Sequence, residues 1–215
     1  MRETIINQVL EHKIIAIVRG VYGQDCLNLA KALCAGGIRM LEVTFDQSDP
    51  ALWQETADTI RLLNQELGDH MVFGNGTVTS VELVELARSA GAKFIVSPDT
   101  NEAVIRATVA AGMVSMPGAL TPTEVLAAHR YGADFVKLFP VGNLGASYLK
   151  AVSAPINHVR LLAVGGVNET NVAQFLAAGA VGAGVGGNLV NKKWIAAGEF
   201  DKITQLAQTF VEQVK

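Results

Sequence analysis

Short apolar runs with strand character alternate with helical patterns along the whole chain, and this alternation restricts the fold more than any other feature. The first five runs are Ile14-Ile15-Ala16-Ile17-Val18-Arg19, Met40-Leu41-Glu42-Val43-Thr44-Phe45, Met71-Val72-Phe73-Gly74, Phe94-Ile95-Val96-Ser97 and Met113-Val114-Ser115-Met116. Then come Ala133 to Pro140, Val159-Arg160-Leu161-Leu162-Ala163-Val164 and Val181 to Gly187. Each is nearly continuous in its apolar character, as in a strand covered on both faces. Helical patterns fill the intervals, from about Gln24 to Ala35, from just after Pro50 to about Leu67, and from Ser80 to near Gly91. Gly91, Gly112 and Gly132 each close a helix just before a strand, at spacings of 21 and 20 residues. Glycine supplies the left-handed cap needed there. Thr121-Pro122-Thr123-Glu124 opens the next helix with capping-box spacing. Helices over Gly145 to Val152, Thr170 to Ala178 and Phe200 to Val214 complete the series.

Eight such units predict an α/β fold: a single (β/α)8 TIM barrel with its helices outside, spanning residues 1–215 as one domain. A doubly wound open sheet is the alternative. The apolar positions Ile5, Ile6, Val9 and Leu10 recur at helical spacing, so Met1 to Lys13 is expected to be an N-terminal helix packed on the barrel. That stretch contains acidic residues and does not read as a signal peptide. With 215 residues, half of them hydrophobic, one full core can be buried. Net charge of −3 and a pI near 5.8 argue against nucleic acid or an anionic membrane as partner. Mean hydropathy is positive, but no apolar run approaches the ~20 residues of a membrane span. Cys26 and Cys34 fall eight positions apart on one helix, roughly 12 Å along its axis, too far to bridge. Reduced thiols in a cytoplasmic protein are expected.

In a barrel of this kind the chemistry lies at the C-terminal ends of the strands. Lys137 is the one charge in Phe135-Val136-Lys137-Leu138-Phe139. Alternation puts it on one face with Phe135 and Phe139, with Val136 and Leu138 on the other. Burial disfavours an ammonium and lowers its pKa, and a neutral lysine is a nucleophile towards a ketone. A lysine snorkelling into solvent or a buried ion pair would also fit this stretch. Glu42 shares a face with Met40 and Thr44, opposite Leu41, Val43 and Phe45, and so points into the barrel. A carboxylate and a lysine in one interior form either a structural ion pair or a nucleophile with a general acid/base. Arg19, at the end of the first strand, favours the second reading, because a fixed cation can bind a substrate carboxylate and depress the lysine pKa. Gly165-Gly166 and Gly186-Gly187 end adjacent strands, where loops frequently cradle phosphate on backbone N–H groups. Lys150, Lys192 and Lys193 read as solvated surface charges, and the four histidines lack metal-ligand spacing.

Taken in order, these segments resemble the class I aldolases that cleave 2-keto-3-deoxy-6-phosphogluconate, its galactonate epimer or 4-hydroxy-2-oxoglutarate. The segments are Ile-Ala-Ile-Val-Arg-Gly, Leu-Glu-Val-Thr, Gly-Asn-Gly-Thr-Val, Val-Ser-Pro, Pro-Gly, Val-Lys-Leu-Phe-Pro and Ala-Val-Gly-Gly-Val, and they cover Ile14 to about Val190. The resemblance implies a (β/α)8 barrel, usually a homotrimer, with no metal or other cofactor. It implies Lys137 as the Schiff-base lysine and Glu42 as general acid/base. Arg19 and Thr77 would lie near the keto-acid end of the substrate, with Pro98 and Phe139 beside it and the glycine doublets around the phosphate. Products would be pyruvate and glyceraldehyde 3-phosphate, or pyruvate and glyoxylate from 4-hydroxy-2-oxoglutarate. The chain departs from the family in three places: Asp46 replaces a frequent arginine, Val164 a threonine and Gly187 a serine. A phosphosugar isomerase that leaves Lys137 without a covalent role, and a non-catalytic sugar-phosphate sensor, are the rival readings of such a barrel.

Overall fold

The computed structural model describes residues 2–215; Met1, where the expected first helix begins, lies outside them. Nine parallel strands form one sheet: β1 (Ile14–Val18), β2 (Met40–Thr44), β3 (Val72–Gly76), β4 (Phe94–Val96), β5 (Val114–Met116), β6 (Gly118–Ala119), β7 (Val136–Leu138), β8 (Leu161–Val164) and β9 (Ala180–Val185). Their order is β5-β4-β3-β2-β1-β9-β8-β7-β6. The two end strands, β5 and β6, are halves of one run interrupted at Pro117. The first half pairs with β4 and the second with β7. The fifth sequence unit therefore closes a (β/α)8 barrel across the break, and the open-sheet alternative is excluded. Pro117 has no N–H to give a ladder, but its carbonyl accepts from the Lys137 N–H at 2.9 Å and holds the closure.

Ten α-helices accompany the strands among the described residues: α1 (Arg2–His12), α2 (Gly23–Ala35), α3 (Trp53–Leu67), α4 (Val81–Ser89), α5 (Glu102–Ala110), α6 (Pro122–Tyr131), α7 (Gly145–Ser153), α8 (Val172–Ala177), α9 (Lys192–Ala196) and α10 (Phe200–Gln213). Their ends follow the capping residues. Ser80 accepts from the Leu83 N–H at the start of α4, and Thr121 and Glu124 form the expected reciprocal box on α6. Gly132 ends α6 at φ 104°, where an L side chain would be strained. Pro50 begins a single 3-10 turn that leads into α3, which starts at Trp53 as the position of the proline just before a helix implies. The short helix after the last doublet, α9, has no counterpart in the sequence reading, because five residues are too few to display a helical period. No helix among the described residues is long and apolar enough to cross a membrane.

Two apolar layers result from the strand alternation. Leu41, Val43 and Phe45, like Val136 and Leu138, face outward into the shell packed by the helices. Met40, Phe94, Met116, Phe135 and Leu162 fill the barrel interior. Ile5, Ile6 and Val9 of α1 join that inner cluster and plug the N-terminal end of the barrel. With one end sealed, a substrate can enter only at the other. Cys26, buried on α2, has its thiol pushed up to about 12 by desolvation, and both cysteines are free.

Candidate active site

At the open end, where the strands finish, lies a cavity of about 900 Å3. It brings together all ten residues expected at the site: Arg19, Glu42, Thr77, Pro98, Lys137, Phe139, Gly165, Gly166, Gly186 and Gly187. Lys137 sits on β7 with only 8% of its surface exposed, and Glu42 on β2 with 3%. The alternation of each strand forces both side chains inward, since their neighbours Val136, Leu138, Leu41 and Val43 belong to the outer shell.

Burial holds the Lys137 amine below the ordinary lysine range, and the Arg19 cation lowers it further, against an opposing pull from Glu42. Burial also raises the Glu42 carboxyl, opposed by Lys137 and Arg19. Both shifts favour the uncharged form of their group, the form in which an amine is nucleophilic and a carboxyl can donate a proton. Among the described residues no ion pair within 4.0 Å ties Glu42 to Lys137. A structural salt bridge therefore does not account for either residue. The Phe139 ring lies 4.6 Å from the Lys137 amine and forms an apolar wall beside it.

Glu42 is also fixed by what stands next to it. β2 and β3 pair with Glu42 beside Gly74 and Thr44 beside Gly76. A Cβ at Gly76 would come within 2.3 Å of Glu42 Oε1 and 2.9 Å of Thr44 Cγ2. The carboxylate thus rests directly on the β3 backbone, and only glycine leaves room for it. One residue on, Thr77 takes φ 55°. A β-branched residue in the left-handed region is strained, and such strain clusters where function demands a particular backbone. The Gln47 side chain donates to the Thr77 carbonyl at 2.8 Å, and Ser97 Oγ donates to Val78 O at 2.7 Å, anchoring the turn on both sides. Thr44 Oγ1 is buried without a protein partner. It lines a smaller cavity of about 250 Å3 that shares Arg19 and Thr77 with the larger one. Asp46 lies there too, and hydrogen bonds from Ser48 hold its carboxyl below the usual range.

The two glycine doublets differ physically. Gly165 and Gly166 adopt φ 87° and 79°, and a Cβ on Gly166 would approach Gly142 Cα to 2.9 Å. The backbone requires glycine at both. Gly186 and Gly187 have no such φ, and a Cβ on Gly187 would meet nothing within 4 Å. Glycine there leaves the cavity wall open rather than relieving a clash. Asn171 ties the start of α8 to the first doublet, its side chain donating to Gly166 O at 2.9 Å.

One expectation needs correction. Lys192 and Lys193 are exposed, but they are not plain surface charges: both line the cavity, with Asn188 and Asn191 beside them. Sequence reasoning missed this segment because it follows the last strand and carries no strand or helix pattern. Its position just after a strand-end glycine doublet was the available signal. Among the described residues, no group of three or more His, Cys, Asp or Glu side chains has the geometry to hold a metal.

Comparison with known proteins shows the family. The family described as "KDPG and KHG aldolase" matches residues 5–206. The 2-dehydro-3-deoxy-phosphogluconate aldolase of Treponema pallidum is 34% identical over 212 residues, 98% of each chain. The 2-dehydro-3-deoxy-6-phosphogalactonate aldolase of Escherichia coli is 32% identical over 200 residues, 93% of each. Among solved structures, the KDPG aldolase of Legionella pneumophila, with pyruvate captured at low pH as a covalent carbinolamine intermediate, matches at a TM-score of 0.84 and 27% identity. It covers 95% of this chain and 97% of that one.

Proposed function

The chain belongs to the KDPG and KHG aldolase family, and from that premise we propose that it cleaves a 2-keto-3-deoxy-6-phospho sugar acid to pyruvate and glyceraldehyde 3-phosphate through a Schiff base on Lys137. The observation that carries the assignment is one buried amine, with its pKa lowered, sharing a cavity with one buried carboxyl whose pKa is raised.

In this mechanism neutral Lys137 adds to the C2 ketone to give a carbinolamine. Glu42 protonates the carbinolamine hydroxyl, which leaves as water and produces the iminium. The iminium accepts the electron pair of the C3–C4 bond as that bond breaks, while Glu42 takes the proton of the C4 hydroxyl. An aldehyde departs and a pyruvate enamine remains; protonation at C3 and hydrolysis release pyruvate and the free amine. At pH 7 a lysine of ordinary pKa is only about 0.04% neutral, and each unit of depression multiplies that fraction about tenfold. Desolvation at 8% exposure therefore supports the nucleophilic role directly. Arg19 and Thr77 would hold the substrate carboxylate, Pro98 and Phe139 would pack against its carbon chain, and the glycine doublets would present N–H groups to the terminal phosphate. 4-Hydroxy-2-oxoglutarate meets the same chemical demands and is a second substrate of this reading, giving pyruvate and glyoxylate.

Borohydride reduction in the presence of pyruvate tests it. A stable mass increase mapped to Lys137, abolished in Lys137→Met, is expected; an unmodified Lys137 rules the mechanism out. An isomerase using Glu42 alone would instead retain substantial activity in Lys137→Arg. The family resemblance supports a cytoplasmic homotrimer as part of this reading, and sedimentation equilibrium should then give about three times 22.7 kDa.

A further inference from the structure

The cavity lining has an unbalanced charge. Around the cavity stand Arg19, Lys137, Lys192 and Lys193 against the single carboxyl of Glu42. The lining contributed at the ends of β8 and β9 includes Val164, Gly165, Gly166, Gly186 and Gly187, none of which carries a side-chain donor. Asn188 is turned aside, its amide donating to Glu169. Lys192, in the segment that follows β9, lines the same cavity. Asn191 fixes that segment by accepting from the Lys193 and Trp194 N–H groups, at 3.0 and 3.3 Å. The Lys192 ammonium reaches across to the loop after β1, where a Cβ built on Gly20 would lie 3.1 Å from Nζ. That loop carries Arg19, and β1 pairs directly with β9, so the ammonium closes the rim between the two strands. Among the described residues neither Lys192 nor Lys193 forms an ion pair within 4.0 Å.

We propose that Lys192 is a specificity-determining residue that contacts the terminal phosphate of the substrate and thereby selects phosphorylated over unphosphorylated sugar acids. The inference rests on the aldolase reading above and extends it to a residue outside the glycine cradle. Backbone N–H groups bind a phosphate without neutralising it. A free ammonium at the rim supplies the missing charge as a flexible point contact. Because the group lies far from the reacting C3–C4 bond, its loss should appear in KM rather than in kcat.

The test is steady-state cleavage of 2-keto-3-deoxy-6-phosphogluconate, its galactonate epimer and unphosphorylated 2-keto-3-deoxygluconate. It compares the parent with Lys192→Gln, Lys192→Arg and Lys150→Gln, the last an exposed lysine on α7 away from the cavity. Lys192→Gln should lose about tenfold in kcat/KM on the phosphorylated substrates, equivalent to about 1.4 kcal/mol for one partly solvated charged contact. The loss should lie in KM. The unphosphorylated acid should change less than twofold, Lys192→Arg should recover most of the loss, and Lys150→Gln should match the parent. An equal loss on both substrate types, or no loss on the phosphorylated ones, overturns the proposal. So does a parent enzyme that forms the pyruvate adduct yet shows no preference for phosphate. A parent that neither cleaves any of these acids nor forms the adduct refutes the aldolase reading itself, which is a distinguishable result.

Discussion

Replacing Gly76 by alanine adds one methyl group at the point where Glu42 rests on β3. The new Cβ would fall 2.3 Å from Oε1, 2.8 Å from Cδ and 2.9 Å from Thr44 Cγ2. Carbon–oxygen contacts need more than 3 Å, so the carboxyl must retreat by about 1 Å. The β3 backbone cannot yield easily, because Gly76 O accepts the Phe45 N–H at 2.9 Å and the strand is paired with β2 and β4. A misplacement of about 1 Å at a catalytic group costs roughly 100-fold in rate, or about 2.7 kcal/mol of barrier. Overpacking costs stability as well, about 1–3 kcal/mol, partly offset by the lower unfolded-chain entropy of alanine. A domain of ordinary stability survives that loss. Gly76→Ala should therefore fold, still trap pyruvate on Lys137 with borohydride after long incubation, and lose about 100-fold in kcat for cleavage. Steady-state rates for Gly76→Ala, Glu42→Gln and the double variant isolate the cause. If the methyl acts through the carboxyl, adding Gly76→Ala to Glu42→Gln should cost little more, since interacting residues are not additive. A kcat within threefold of the parent would refute the argument. So would a full 100-fold loss that persists in the Glu42→Gln background.

Two further outcomes follow from the same site. Lys137→Met removes a buried amine and should raise stability by about 1–2 kcal/mol at neutral pH, roughly 4 °C in thermal midpoint, while abolishing cleavage. Because the folded pKa is lowered, the cost of charging Lys137 is full below that folded value and vanishes as pH approaches the unfolded value of 10.5. The stability gap between Lys137→Met and the parent should thus narrow with rising pH in denaturation curves; a gap that widens would contradict the shift. Thr77→Gly should relieve left-handed strain of about 1–2 kcal/mol, less up to about 1 kcal/mol of added unfolded-chain entropy. Its thermal midpoint should match or exceed the parent's while KM for pyruvate in methyl-proton exchange rises, and a midpoint lowered by several degrees would exclude strain at Thr77.

What could be read from the chain, and what could not, divides along physical lines. Alternation of period two showed Glu42 and Lys137 facing inward, because Leu41, Val43, Val136 and Leu138 had to face the helices. Glycine caps at positions 91, 112 and 132 marked where helices stop, since each takes a positive φ. Nothing in the chain announced that the fifth strand breaks at Pro117, as the break depends on two different neighbours claiming its halves. Nor did it reveal that Gly76 holds Glu42 in place, a contact across strands, or that a threonine occupies φ 55° at position 77. Buried charge is legible because it is costly where it stands and no packing requirement explains it. Lys192 is the opposite case. A solvated lysine after the last strand costs nothing, so its sequence carries no mark of stress. Only the fold, by bringing the end of β9 beside the loop after β1, turns that ammonium into part of the cavity wall. A residue that discriminates between substrates from the rim, without destabilising the chain, has to be found by geometry and proved by kinetics.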